Sequence, residues 1–169
     1  PLFSILALTA RWASVMLAFN ARPPDPAIVG DAWREMWHER LDGNVDLIET
    51  WLRHQRRDDY WRHGSVGEDY SAIEVPVLAV SGWADAYVDA VFRLLERLDG
   101  PRKGLVGPWG HMWPEIGRPG PQVGFLQECV RWWDEHLKGE PTGIMQEPML
   151  RAWMQEAVPP QVDYDERPG

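Results

Sequence analysis

The fold of this chain is decided by residues 75–111, which read VPVLAVSGWADAYVDAVFRLLERLDGPRKGLVGPWGH. The run Val75–Val80 is short, apolar and rich in Val, which is typical of a strand buried on both faces. Apolar residues then recur at helical spacing from about Tyr87 to Leu98, and the turn Asp99–Pro101 ends that helix. A second buried strand fits Lys103–Val106. The stretch therefore predicts a βαβ unit with two parallel, adjacent strands.

Each predicted strand is followed by a loop that carries one residue with catalytic chemistry. Asp85 lies in the first loop, and His111 ends the second. Because the carboxyl ends of parallel strands share one edge of the sheet, both residues are expected at that edge. A His there can take a proton from a nucleophile, while an Asp fixes its tautomer and stabilises the imidazolium. From spacing alone, a turn or cap role for Asp85 and a surface role for His111 stay open.

Both loops contain motifs that resemble those of the CocE/NonD hydrolases. This family includes cocaine esterase, the X-Pro dipeptidyl-peptidases of the S15 type and the α-amino-acid ester hydrolases. Its GWxD motif resembles SGWADAY around Asp85, and its GPWxH motif resembles GLVGPWGHMWPE around His111. The resemblance covers most of residues 55–155. It implies that Asp85 is the acid and His111 the base of a catalytic triad.

The family's nucleophile has no counterpart in this sequence. That nucleophile is a Ser in a GxSxxG-type elbow, which precedes the Asp in chain order. The chain begins at Pro1 rather than Met, so we expect a fragment that starts after the elbow and has no triad-dependent turnover of its own. None of its five serines stands between glycines at elbow spacing: Ser4, Ser14, Ser65, Ser71 and Ser81.

Residues 1–54 are predicted to form helices with no strands between them. The resembled family has a helical cap over its active site at this place, so a cap segment is expected, with plain packing helices as the alternative. If these residues form a cap, Trp33 or Trp37 is a candidate to line an acyl pocket, although core packing is the commoner role of Trp. Apolar periodicity predicts helices over residues 1–20, about Ala27–Leu41 and Asn44–His54.

The loop after His111 is rich in Gly and Pro through Pro121, and it is long enough to form the rim of a site. Trp83, Trp109 and Trp113 are candidates to line a substrate pocket beside the base. A helix is then predicted over about Val123–Lys138.

The predicted fold class is α/β, the C-terminal part of an α/β-hydrolase fold. A weak alternation over Pro148–Met154 favours a strand, and the resemblance implies that this strand begins a jelly-roll-like β domain. The expected organisation is a helical cap segment over residues 1–60, hydrolase domain over 61–145 and the start of a β domain over 146–169.

Composition argues against several kinds of partner. A net charge of −9 offers no basic stripe for phosphates, so no nucleic-acid partner is expected. Membrane binding is not expected either, because no apolar run approaches the ~18 residues of a spanning helix. No metal or cofactor is expected, because the His residues lack compact ligand spacing and there is no Gly-rich phosphate loop. Cys129 is the single cysteine, which is compatible with a cytoplasmic location. A homo-oligomer is left open.

Three functions remain in competition. The favoured one is a serine hydrolase that cleaves a small-molecule ester or amide through an acyl-enzyme. An X-Pro dipeptidyl-peptidase or α-amino-acid ester hydrolase is the alternative; a peptidase must bind a free ammonium, and Asp31, Glu35 and Glu39 share one side of a predicted cap helix. A solvated face is the commoner interpretation of such carboxylates. A non-catalytic binding or structural domain is the alternative of another class.

Overall fold

The computed structural model describes the backbone of residues 2–169 and the side chains of residues 10–169. The chain forms two compact units, which divide between Ser65 and Val66. Helices build the first unit, whereas the second contains a parallel sheet. Among the described residues, no helix combines the length and the apolar character needed to cross a membrane.

The first unit is helical, as its sequence predicts. The helix predicted over Ala27–Leu41 is divided at Gly30, where φ is +60° and the chain passes through a short 3₁₀ segment. The elements are α1 (Leu2–Asn20), α2 (Pro26–Val29), the 3₁₀ segment Gly30–Ala32, α3 (Trp33–Asp42), α4 (Leu47–Arg53) and α5 (Asp59–His63).

Carboxylate caps fix where two of these helices begin. Asp25 accepts the Ala27 N–H at 2.8 Å at the start of α2. Asp46 accepts the N–H groups of Ile48 and Glu49 at 2.9 and 3.2 Å at the start of α4. Such bonds satisfy donors that the first turn of a helix leaves unpaired. The cap of α4 is therefore Asp46, two residues beyond the start expected from the sequence.

The second unit contains a three-stranded parallel sheet in the order β1–β2–β3. Its strands are β1 (Val77–Gly82), β2 (Arg102–Gly107) and β3 (Leu150–Ala152), and its helices are α6 (Asp89–Arg97) and α7 (Phe125–Trp133), which continues as a π-helical turn over Asp134–Lys138. Short 3₁₀ segments lie at Val66–Glu68, Tyr70–Ala72 and Ile144–Gln146.

The predicted βαβ unit is confirmed. β1 and β2 pair in parallel, with Val77 opposite Arg102 and Gly82 opposite Gly107. The helix between them, α6, packs its apolar face onto the sheet, because apolar positions three and four residues apart share one helix face. The buried cluster between α6 and the sheet consists of Ala79, Val91, Leu95 and Val106.

The third strand lies in the same sheet as the first two. Leu150–Ala152 pairs in parallel with Gly104–Val106 of β2, whereas the family resemblance implies that this strand begins a further β domain. Buried Lys103 secures the approach to β3 by donating hydrogen bonds to the carbonyl oxygens of Glu147 and Pro148. A three-residue strand carries no signal for its partner, so its pairing could not be predicted. The boundaries after residues 60 and 145 stay predictions.

Ion pairs connect α7 to the segment around β3. Arg131 Nη2 lies 2.5 Å from Glu147 Oε1, and Arg151 Nη2 lies 2.5 Å from Glu128 Oε2. The Arg131 hydrogen bond is the main reason why the pKa of Glu147 lies below its ordinary value of 4.5; burial opposes this effect. The contribution to stability is therefore present above pH 4.5 and is lost as the pH falls through the lowered pKa.

We expect the unfolding temperature of Glu147→Gln to fall less than that of the wild type as the pH drops below 4.5, because the neutral amide does not take up a proton there. Thermal unfolding followed by circular dichroism between pH 7 and pH 3 measures this dependence. The control is Glu156→Gln, which removes an exposed carboxylate. Equal pH slopes in wild type and Glu147→Gln would show that the ion pair contributes nothing to the pH dependence.

Candidate active site

The loops after β1 and β2 are joined by their backbones. The Trp83 N–H donates to the Gly107 carbonyl at 2.8 Å, and the Ala84 N–H donates to the Trp109 carbonyl at 3.0 Å. Gly82 permits this close approach, because a Cβ there would lie 1.9 Å from the Trp109 carbonyl oxygen. The two loops therefore meet at one edge of the sheet, as the βαβ unit predicts.

Asp85 and His111 form a hydrogen-bonded pair where these loops meet. His111 Nδ1 lies 2.9 Å from Asp85 Oδ2, and Asp85 Oδ1 accepts the Tyr87 N–H at 2.9 Å. The edge of the Tyr87 ring packs against the imidazole, with ring centroids 5.5 Å apart. The Asp85 side chain is 10% exposed and that of His111 is 80% exposed. The pair thus joins a buried carboxylate, held at both oxygens, to an imidazole that is open to solvent.

Asp85 is held as a carboxylate. Burial is the largest single influence and raises the pKa of Asp85, but the opposing interactions, led by the bonds from the Tyr87 N–H and from His111, bring the pKa below its ordinary value of 3.8. A carboxylate only accepts hydrogen bonds, so it selects the tautomer of a neutral His111 with the proton on Nδ1. In that tautomer Nε2 carries the lone pair and can accept a proton.

The turn role of Asp85 and its pairing with His111 coexist in the structure. The bond from the N–H of Tyr87, two residues further along, to the Asp85 carboxylate is an Asx-turn, a local arrangement that Asp favours in loops. The sequence alone does not predict that the Tyr87 N–H binds the carboxylate. The signal for this bond is the position of Tyr87 two residues after an Asp in a loop. The turn fixes the carboxylate so that its other oxygen faces the imidazole.

A cavity of about 390 Å³ lies beside the pair. Asp85, His111 and Ser81 line its polar side. Its volume lies within the range of roughly 300–1,000 Å³ that is common for small-molecule sites. An apolar wall next to a base suits the hydrophobic part of a small substrate. That wall is formed by Val80, Trp109, Met112, Trp113, Pro114 and Phe125.

Two of the five predicted pocket tryptophans border this cavity. Trp113 is 66% exposed and stacks on Phe125, with ring centroids 6.3 Å apart. Trp109 is 1% exposed and donates its Nε1–H to the Pro121 carbonyl at 2.7 Å. Trp109 therefore belongs mainly to the core beneath the site, whereas Trp113 presents its ring to the cavity.

Trp83 faces away from the Asp–His cavity. Its ring stacks on Phe92 at 5.7 Å, and its Nε1–H donates to the Trp153 carbonyl at 2.7 Å. It lines a separate cavity of about 250 Å³ that contains neither Asp85 nor His111. The sequence placed Trp83 near the base because it lies two residues before Asp85, but the bond to Trp153 turns its side chain elsewhere.

Trp33 and Trp37 lie on α3 in the first unit. Their rings stack with centroids 6.1 Å apart, and Trp37 Nε1–H donates to the Ala21 carbonyl at 2.8 Å. This bond ties α3 to the residue that follows α1, which is a packing role within the unit. Their predicted role in an acyl pocket stays a prediction.

Three or more His, Cys, Asp or Glu side chains are nowhere gathered as a metal site would need, within the part of the chain that the structure describes. The polar groups that line the candidate site are one carboxylate, one imidazole and the buried hydroxyl of Ser81, a residue that is half-buried as a whole. A carboxylate in this position can orient a histidine base and stabilise its protonated form. The site lacks a serine in an elbow, as the sequence already indicated.

Comparison with known proteins identifies a family and several relatives that resemble this chain. The family model described as "X-Pro dipeptidyl-peptidase (S15 family)" matches residues 5–113, which include both Asp85 and His111. "Putative serine esterase Mb1866c" of Mycobacterium bovis and "Putative serine esterase MT1883" of Mycobacterium tuberculosis are each 33% identical over 113 residues. This match covers 63% of the chain but only 16% of the length of each relative.

A similar solved structure is that of SACOL2612, a CocE/NonD family hydrolase from Staphylococcus aureus. Its sequence is 18% identical, and the superposition has a TM-score of 0.49. The similarity covers 71% of this chain and 22% of that chain.

Proposed function

The chain belongs to the X-Pro dipeptidyl-peptidase (S15) family, and on that premise we propose that it supplies the Asp and His of the catalytic triad of a serine hydrolase. One observation carries the proposal: His111 Nδ1 bonds to buried Asp85 while the imidazole is exposed beside a cavity. A base needs this arrangement, because the carboxylate fixes the tautomer and leaves Nε2 free to reach a nucleophile.

In the proposed mechanism a Ser from outside these residues attacks the substrate carbonyl. His111 Nε2 takes the hydroxyl proton as the Ser oxygen bonds to the carbonyl carbon, and then gives that proton to the departing alcohol or amine. Water then attacks the resulting acyl-enzyme. His111 takes a proton from this water and gives it to the departing Ser oxygen, which releases the acid and restores the Ser. Asp85 stabilises the imidazolium in both halves without taking the proton itself.

Ester hydrolysis is the activity we favour for the complete polypeptide. The name of the two mycobacterial relatives supports an esterase, and the apolar wall around Trp113 supports an acyl group without charge. X-Pro peptidase activity is the second candidate, supported by the description of the family. Asp31, Glu35 and Glu39, the carboxylates considered for an ammonium, are exposed on the first unit.

The experiment compares aryl esters with X-Pro anilides as substrates of the complete polypeptide. We expect kcat/KM to be higher for the esters, and we expect no turnover of either by the 169-residue chain alone. Preferential cleavage of X-Pro anilides would replace the esterase proposal with the peptidase. Turnover of both substrates unaffected by Asp85→Asn would contradict a triad role for this chain.

We expect Trp113→Ala in the complete polypeptide to lower kcat/KM for a long-chain aryl ester by about tenfold, a loss of ~1.4 kcal/mol. Acetate esters should change less, since their acyl group is too short to use the wall. Steady-state kinetics over a series of acyl lengths measures this. Trp83→Ala is the matched control, because that ring lies on a separate cavity. Equal losses for all acyl lengths would show that Trp113 does not contact the acyl chain.

A further inference from the structure

Ser81 has a buried hydroxyl for which the mechanism so far gives no role. It is the penultimate residue of β1 and lies opposite Val106, which is fully buried. Its Oγ is shielded from solvent and has no hydrogen-bond partner among the residues that the structure describes. A buried hydroxyl left without a partner is destabilising, so its presence needs a reason.

The carboxylate of Asp85 lines the same cavity as Ser81 and is the acceptor that we assign to this hydroxyl. Ser81 is the smallest of the influences on the pKa of Asp85, after burial, the Tyr87 N–H and His111, and it lowers that pKa. Asp85 accepts one hydrogen bond at Oδ1 from Tyr87 and one at Oδ2 from His111. Two carboxylate oxygens offer about four acceptor positions, so room for a further donor remains.

We propose that Ser81 is a positioning residue whose hydroxyl donates a third hydrogen bond to the Asp85 carboxylate. The inference rests on the proposed function, since it gives the bond a purpose. With a donor from β1 added to those from Tyr87 and His111, the carboxylate is held from three directions. Asp85 then keeps its Oδ2 aimed at His111 Nδ1 while the exposed imidazole changes charge. Hydroxyl donors to an ionised acceptor are the stronger kind of hydrogen bond.

The test is a titration of the side-chain carboxyl groups of the 169-residue chain, followed by ¹³C NMR. In Ser81→Ala the pKa of Asp85 should rise, because a bond that favours the charged form is lost. Ser81→Thr keeps the hydroxyl and should restore the low value. Unfolding midpoints of each variant show whether the fold is intact, and a fold-related effect would shift many carboxyl groups rather than one.

A matched control exists within the same unit. Ser71 Oγ donates to Asp69 Oδ1 at 2.5 Å, and this bond is the main reason why the pKa of Asp69 is low. Ser71→Ala should therefore raise the pKa of Asp69 and leave that of Asp85 unchanged. An unchanged Asp85 in folded Ser81→Ala would overturn the proposal.

The same titration also tests the Asp–His pair on which the proposed function depends, and it does so through a different variant. The hydrogen bond between His111 and Asp85 is one of the influences that lower the pKa of that carboxyl. His111→Ala should therefore raise the pKa of Asp85 whatever Ser81 does. If the pKa of Asp85 does not change in His111→Ala, the Asp–His pair itself is refuted. If that pKa rises in His111→Ala but does not change in Ser81→Ala, the pair stands and Ser81 has no positioning role.

Discussion

Replacing His111 with Ala in the complete polypeptide should lower kcat/KM for ester hydrolysis by about 10⁴- to 10⁶-fold. The reason is the geometry of the pair, in which Nδ1 is bound to Asp85 and the exposed imidazole leaves Nε2 to serve the nucleophile. Without the imidazole the Ser hydroxyl stays protonated and the leaving group receives no proton. The residual rate should come from substrate binding and from the oxyanion donors.

Asp85→Asn should lower kcat/KM for ester hydrolysis by about 10⁴-fold, as the same change does in a Ser-His-Asp enzyme of another fold. An amide can donate to Nδ1, which favours the tautomer with its proton on Nε2. The two changes together should cost little more than His111→Ala alone, because the residues act as one unit. His38→Ala removes an exposed histidine of the first unit and serves as the control. Full activity in His111→Ala would refute the assignment of the base.

Gly82→Ala should destabilise the second unit by about 3 kcal/mol or more, at the upper end for overpacking of a core. An added Cβ would lie 1.9 Å from the carbonyl oxygen of Trp109 and 2.5 Å from its carbonyl carbon. Both are backbone atoms, so they cannot move aside as the end of a side chain can. The collision would separate the loops that carry Asp85 and His111, and activity should fall with stability.

Gly110→Ala is the matched control for this prediction. It lies next to His111, but its nearest neighbour for a Cβ is the Arg118 carbonyl oxygen at 3.6 Å, an ordinary contact. Urea unfolding followed by tryptophan fluorescence should show a clear loss for Gly82→Ala and a change within about 0.5 kcal/mol for Gly110→Ala. Similar unfolding curves for wild type and Gly82→Ala would mean that the two loops do not approach as closely as described.

The βαβ unit and the Asp–His pair could be predicted because their signals are local. A Val-rich run, helical periodicity and Gly/Pro punctuation identify β1, α6 and β2 without any distant partner. The rule that loops after parallel strands meet at one edge then places Asp85 beside His111. The resemblance to a known family, confirmed by the match to residues 5–113, made the pair specific.

The features that could not be predicted depend on distant residues. The side chain of Trp83 is directed by a hydrogen bond to Trp153, 70 positions away, so proximity to Asp85 in the sequence was misleading. The strand β3 is short, and its pairing with β2 is secured by the buried Lys103 ammonium rather than by a pattern of its own. No local signal distinguishes the buried hydroxyl of Ser81 from that of any other serine in a strand.

We propose that Asp85 and His111 serve a nucleophilic Ser outside these 169 residues. The most direct measurement is labelling of the complete polypeptide with a fluorophosphonate, followed by mapping of the adduct by mass spectrometry. We expect one adduct, on a Ser that precedes this stretch in the chain, and loss of that adduct in His111→Ala. An adduct on a Ser within residues 1–169, or labelling that does not depend on His111, would contradict this proposal.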